Sequence, residues 1–244
     1  MYDYKRSRDM IQEILSSQTK IVNKEVIPSS DSEFTYSNGI KAWVGALFVD
    51  IVGSSEMCKT ANEDTARVFR AFCSEIIAIL KDDPNYREIG IRGDCVYCIY
   101  TAPYQKDLVA IFRHAYRINS FMKMFNKLLE KNCYSKIRAG IGLGCDEELI
   151  IKAGQSGSGI NDKIWIGKAV VDACHLGNKA NRNGLSPIAM STVFYNNIKE
   201  TLEEENPNYK NWISGYKSPF GYSVEFYQCN IVETEFDSWI ETEV

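Results

Sequence analysis

Asp50 closes an apolar run, Ala46-Leu47-Phe48-Val49-Asp50-Ile51-Val52, and Gly53-Ser54-Ser55 follows at once. Asp94 sits in a tight turn, Arg92-Gly93-Asp94, between two strand-like stretches, Tyr86 to Ile91 and Cys95 to Tyr100. Carboxylates at the mouths of neighbouring strands are hard oxygen ligands for a divalent ion. A glycine-serine turn beside them offers open backbone N–H groups to a phosphate. These residue types together point to metal-dependent nucleotide chemistry.

The elements that must hold these groups can be read from periodicity and turn residues. Lys41 to Ile51 reads as a strand, buried on both faces at its end. Ala61 to Leu80 carries apolar residues at helical spacing, with Asn62 as N-cap. Two strands flank Asp94, Lys106 to Lys131 is a long amphipathic helix, and Ile137 to Leu143 is a strand that Leu149 to Ala153 extends or pairs with. The order β-α-β-β-α-β from Lys41 to Leu143 is ferredoxin-like, which predicts an α+β fold. Gly154 to Gly159 reads as a glycine-serine loop, Ile164-Trp165-Ile166 as a short strand, and Lys168 to Asn181 as a helix. Later strands are expected at Ile188 to Met190 and Tyr222 to Tyr227, with a helix over Thr192 to Glu204 between them. Residues 1–40 read as a helical and linker extension, with Pro28-Ser29-Ser30-Asp31-Ser32 as linker, 41–230 as the domain that carries both aspartates, and 231–244 as a tail.

Bulk numbers narrow the partners. The chain has 244 residues, 45% hydrophobic and 25% charged, enough for a sizeable core. A formal net charge of −4 argues against a nucleic-acid groove binder, which would be basic. A nucleotide remains possible as ligand, because a bound metal supplies local positive charge. Eight cysteines without zinc-site spacing, and no apolar stretch after Met1, predict reduced thiols in a cytoplasmic protein. No run approaches the roughly 20 apolar residues of a membrane span, so no direct membrane insertion is expected.

Four motifs in order carry a resemblance: Phe48-Val49-Asp50-Ile51-Val52-Gly53-Ser54-Ser55, Gly93-Asp94-Cys95-Val96-Tyr97-Cys98, Ile137-Arg138-Ala139-Gly140-Ile141-Gly142-Leu143-Gly144, and Trp165-Ile166-Gly167 with its following helix. Over most of residues 41–230 the chain resembles a class III nucleotidyl cyclase domain, an antiparallel-rich sheet with helices on one face. The resemblance implies that Asp50 and Asp94, with the Ile51 carbonyl, hold two ions, Mn²⁺ or Mg²⁺. They would activate the ribose 3′-oxygen and stabilise the leaving diphosphate. Gly53, Ser54 and Ser55 would cradle the phosphates. It also implies a head-to-tail homodimer with two sites at the interface, metal aspartates from one chain and base and transition-state residues from the other.

Departures from the family pattern bear on the substrate. The position four before the second metal aspartate, a purine-reading lysine in the family, is Gly90, and its partner position, three before Gly167, is Ile164. Neither side chain can hydrogen-bond a purine edge, which disfavours purines. On the helix after Gly167, the ribose-orienting Asn and the charged transition-state residue are replaced by Val171 and His175. His175 could donate to a phosphate, and Lys168, Asn178 and Lys179 are alternatives for the missing charge. Phe48, two residues before Asp50, shares its side of the strand and could line the base pocket, as could Trp165. Arg92 has two readings, a phosphate contact or an ion pair.

Arg87 to Tyr97, Lys152 to Asp162 and Thr234 to Trp239 further resemble the stand-alone pyrimidine cyclases of Pycsar antiphage systems. That resemblance implies conversion of UTP to cyclic UMP, or of CTP to cyclic CMP, a messenger read by a separate antiviral effector. An adenylate or guanylate cyclase with unusual base contacts, or a degenerate nucleotide-binding fold, are the alternatives.

Overall fold

The computed structural model describes residues 2–155, 159–218 and 223–244. The elements are α1 Tyr4–Ser16, β1 Lys20–Asn23, β2 Asn38–Ile51, α2 Ser54–Cys58, α3 Glu63–Leu80, β3 Tyr86–Arg92, β4 Cys95–Thr101, α4 Gln105–Lys131, β5 Ala139–Gly154, β6 Asn161–Ile166, α5 Ala169–Lys179, β7 Ile188–Ser191, α6 Thr192–Glu205, β8 Ile213–Tyr216, β9 Phe226–Cys229 and α7 Thr234–Glu243. The strands form one sheet in the order β3-β4-β2-β5-β7-β9-β8, with β1 added to β2 and β6 to β5. β5-β2-β4-β3 is the antiparallel ferredoxin-like core that the sequence order predicts. β7 runs parallel to β5. Residues 156–158 of the expected glycine-serine loop, and Tyr222 of the expected last strand, lie outside the described residues.

Alternation along β2 assigns the two faces. Leu47, Val49 and Ile51 face the main core with Phe72, Phe112 and Phe121 of α3 and α4 and Phe194 of α6. Full burial of one such side chain stabilises by about 1.5–3 kcal/mol. The helix starts are set locally: the Asn62 side chain accepts from Thr65 N–H at 2.9 Å, an N-cap of the kind whose loss costs about 1 kcal/mol. Val44, Ala46 and Phe48 face the other way, in a second cluster with Ile99, Ile150 and the α5 residues Ala169 and Ala173. The expectation of helices on one face thus holds for α3, α4 and α6, while α5 lies on the opposite face.

The seat of α5 is a stripe of glycines. Gly140, Gly142 and Gly144 alternate along β5, on the side that faces the helix. A Cβ at Gly142 would come within 2.0 Å of the Ala173 carbonyl oxygen and 2.2 Å of Gly177 N, both backbone atoms. Any side chain there would lift α5 from the sheet.

The ends of the chain are more structured than their polar composition suggests. β1 pairs in parallel with β2, and Ile27 and Phe34, on either side of the expected linker, are buried in the second cluster. α1 buries no residue. At the other end the expected tail is helix α7, docked on α4 through Ser120 Oγ donating to Asp237 Oδ1 at 2.7 Å and through buried Ile240.

Candidate functional site

Asp50, Phe48 and Trp165 belong to the sheet face that carries α5, and Val171, His175, Asn178 and Lys179 to α5 itself. Asp50 pairs with Cys95 in the β2–β4 register, which sets Asp94, one residue earlier in the β3–β4 turn, beside it. The Asp50 side chain is only 13% exposed. Burial, then the negative charge of Asp94, raises its carboxyl above the ordinary range, and an arginine opposes this. That arginine is Arg182, in the loop between α5 and β7. Its Nη2 donates to Asp50 Oδ2 at 2.5 Å and to the Ile51 carbonyl at 3.2 Å, while Nη1 donates to the carbonyls of Gly177 and Ala180, each at 3.1 Å. Arg182 is not identified by the sequence, because only the return of the chain into β7 brings it to β2.

The donors suit a hard divalent cation. Asp50 and Asp94 supply carboxylates and Ile51 a main-chain carbonyl, all oxygen, as Mg²⁺ and Mn²⁺ prefer. Among the described residues no group of three or more His, Cys, Asp and Glu side chains gathers as a metal site. A divalent centre here would therefore rest on the two aspartates plus backbone. Beyond them Gly53 caps α2 at φ +76°, and a Cβ added there would meet nothing within 4 Å. Glycine is required there by the left-handed backbone, not by crowding. Val52 N–H donates to the Arg138 carbonyl at 2.8 Å and ties this turn to the strand entering β5. Ser54 and Ser55 begin α2, where backbone N–H groups lack intrahelical acceptors.

The region read as the base site is arranged differently from expectation. Gly90 pairs with Tyr97 across β3 and β4, and a Cβ at Gly90 would lie 2.4 Å from the Tyr97 ring. The tyrosine takes the space that a side chain at 90 would need. Phe48 stacks on the same ring, centroids 5.2 Å apart and planes 15° from parallel. Tyr97 Oη donates to Glu88 Oε1 at 2.8 Å, and Trp165 Nε1 donates to Glu88 Oε2 at 2.9 Å. Burial, then the hydrogen bond to Glu88, pushes the Tyr97 phenol up to about 12. Glu88 and Tyr97 escape the sequence reading. Their signal was parity: Glu88 lies two before Gly90, and Tyr97 is its cross-strand partner.

Parity also relocates Ile164. Along β6, Lys163 and Trp165 are half-buried and Ile164 and Ile166 exposed. Trp165 therefore turns toward Glu88 and Ile164 to the other side of the strand. The side chain brought to Gly90's neighbourhood from β6 is Trp165. Val171, His175 and Asn178 line the exposed, outward side of α5. Among the described residues His175 makes no hydrogen bond to either aspartate. Lys179 lies over the Phe226 ring at 5.9 Å, so that alternative cation is directed away from Asp50. Arg92 ends β3, exposed, and its charge opposes the rise in the Tyr97 phenol.

The start of α5 is held by a fully buried carboxylate. Glu148 Oε1 accepts from Val170 N–H at 3.2 Å, and Oε2 has no hydrogen-bond partner among the described residues. Burial raises its carboxyl, with Val170 and Ala169 N–H groups pulling the other way. No helix among the described residues is long and apolar enough to cross a membrane.

No protein-family model matches the chain. It is 40% identical over 242 residues to a uridylate cyclase of Treponema porcinum, spanning 98% of this chain and 81% of the relative. It is 28% identical over 252 residues to a uridylate cyclase of Gulbenkiania mobilis, spanning 98% and 96%. Among solved structures, a class III adenylyl cyclase-like ATP-binding protein from Pseudomonas aeruginosa matches at TM-score 0.68 and 16% identity, over 96% of this chain and 48% of that one.

Proposed function

The chain belongs to the class III nucleotidyl cyclases, in the family of the uridylate cyclases it matches, and on that footing we propose that it converts UTP to 3′,5′-cyclic UMP and diphosphate. The observation that carries the base is the filled Gly90 position. Tyr97 occupies the space of the family's purine-reading lysine, and Glu88 is fixed between Tyr97 and Trp165. A ring at that place leaves room for a single-ring base, and a carboxylate oxygen can accept from a uracil N3–H. The names of the curated relatives support the same substrate.

The work of the residues follows. Asp50, Asp94 and the Ile51 carbonyl would hold two ions, Mn²⁺ or Mg²⁺, which would supply positive charge to the 3′-oxygen and to the departing diphosphate. The 3′-hydroxyl gives up its proton to solvent, its oxygen attacks the α-phosphorus, and the bond to the bridging oxygen breaks as diphosphate leaves. Gly53, Ser54 and Ser55 present backbone N–H groups to the phosphates. The outward side of α5, with Val171 and His175, serves the site of a second copy, in a homodimer with two interfacial sites. His175 supplies the phosphate-facing donor there. The product acts as a messenger for a separate effector in antiviral defence.

The test is incubation of purified protein with Mn²⁺ and each of ATP, GTP, CTP and UTP, with mass spectrometry of the products. Cyclic UMP as the dominant product is expected. Dominant cyclic CMP would overturn uracil but keep the pyrimidine reading. A purine product, or none, would overturn the base assignment or the activity.

A further inference from the structure

The two oxygens assigned to a divalent ion already have a cation of the chain's own on them. Arg182 Nη2 lies within hydrogen-bond distance of both Asp50 Oδ2 and the Ile51 carbonyl. An ion bonded to those same oxygens would sit about 2.0–2.6 Å from each, in the space that Nη2 fills. Two positive groups cannot share that point, by volume or by charge. The geometry points to Arg182 as a built-in competitor of the divalent ion: guanidinium and ion exchange for Asp50 and the Ile51 carbonyl. This rests on the proposed metal role of Asp50.

Three features make Arg182 suited to exchange. Its side chain is 22% exposed, so it can leave toward solvent. Its other nitrogen, Nη1, is anchored on the Gly177 and Ala180 carbonyls at the end of α5, the negative pole of that helix, which retains the cation after it leaves Asp50. And Asp50 stands beside a second carboxylate, Asp94, so without a cation the pair repels. Arg182 thus stabilises the carboxylates before an ion arrives and sets a threshold of ion concentration for loading them. In this role it is a positioning residue and does not touch substrate.

Calorimetric titration of Mn²⁺ into protein without nucleotide reads the competition directly. R182A should bind Mn²⁺ roughly 10- to 100-fold more tightly than the unaltered protein, the worth of a charge-assisted hydrogen bond to a half-buried carboxylate. D50N added to R182A should remove that binding. Equal or weaker binding by R182A would overturn the proposal while leaving the metal role of Asp50 intact. Absence of Mn²⁺ binding in both proteins would sink the metal role, and the competition with it. Because Arg182 also anchors the end of α5, R182A could fail to fold, and mere loss of a nearby positive charge would also tighten binding. A Mg²⁺ titration of the unaltered protein decides both. In the arginine side-chain NMR signal that is missing from R182K, the Nη2 hydrogens should pass from restrained to freely rotating about Cζ–Nη2 as Mg²⁺ saturates, while Nη1 stays held on the Gly177 and Ala180 carbonyls. Nη2 hydrogens that stay restrained at saturation overturn the exchange.

Discussion

The carboxylate cluster and the proposed base site lie on one face of the sheet but are built by different rules. In the carboxylate half each job belongs to one residue at a strand end: Asp50 closes β2, Asp94 turns β3 into β4, and Gly53 bends the chain into α2. In the proposed base half the group offered to the nucleotide, Glu88, is held by a network and not by its own position alone. Phe48, Tyr97, Glu88 and Trp165 come from four different strands and are joined by one ring stack and two hydrogen bonds. A strand end fixes a ligand by covalent neighbourhood, whereas a four-strand network exists only once register is set. The first half should therefore govern rate for every nucleotide alike, and the second should govern the choice among them.

The largest effect tests the first part of that division. D50N keeps the size of the side chain and removes its charge, so at least roughly 10³-fold of activity should be lost, the worth of several kcal/mol of metal-supplied stabilisation. The loss should be equal for UTP and CTP, measured as initial rates of cyclic product. A D50N protein that kept activity, or changed the UTP-to-CTP ratio, would break the division from the carboxylate side.

A smaller effect tests the base half. In E88Q the amide oxygen can still accept from the Trp165 N–H, while the amide NH₂ faces the Tyr97 hydroxyl and donates to it, reversing that hydrogen bond. The negative charge and one acceptor oxygen toward the base are lost. Activity on UTP should fall roughly 10- to 100-fold, with a change in the UTP-to-CTP ratio, since a site built on polar contacts discriminates through them. If Glu88 serves only to hold β3 and β6 together, every nucleotide should suffer alike and the ratio should stay fixed.

The same contrast explains what the sequence discloses. Asp50, Asp94, Gly53 and the Asn62 cap are legible because residue type and local position suffice. The βαββαβ order is legible because each element shows its own period. Tyr97, Glu88 and the true side of Ile164 are not, because a shift of one residue moves a strand's side chains to the other face and only pairing fixes which. Arg182 depends on β7 lying parallel beside β5, with Ile188 opposite Ile141, which no local pattern encodes. The stripe Gly140, Gly142, Gly144 is an intermediate case: visible as a motif, it gains a physical reason only when the α5 backbone is seen on it. The polar Pro28 to Ser32 segment reads as a free linker because its two anchors, Ile27 and Phe34, lie outside it.

The smallest effect falls on neither half but on the helix they share. Glu148 is fully buried beneath the start of α5 and its carboxyl is raised, chiefly by burial. Between the ordinary glutamate value and that raised one, the folded chain holds a proton that the unfolded chain has released. Stability therefore falls as pH rises through that window and is level above it. E148Q removes this dependence while keeping an acceptor for Val170 N–H. Relative to the unaltered protein, its melting temperature should rise with pH across the window and stay higher at neutral pH. The difference should be a few degrees, about 2–4 °C for each kcal/mol in a chain of this size. The UTP-to-CTP ratio should not move, because α5 stays on its glycine seat. A melting difference that is flat with pH would mean that Glu148 is ionised in the fold, held by the N–H groups of α5. A changed ratio would mean that the start of α5 belongs to the base half, and the boundary between the halves would have to be drawn through the helix.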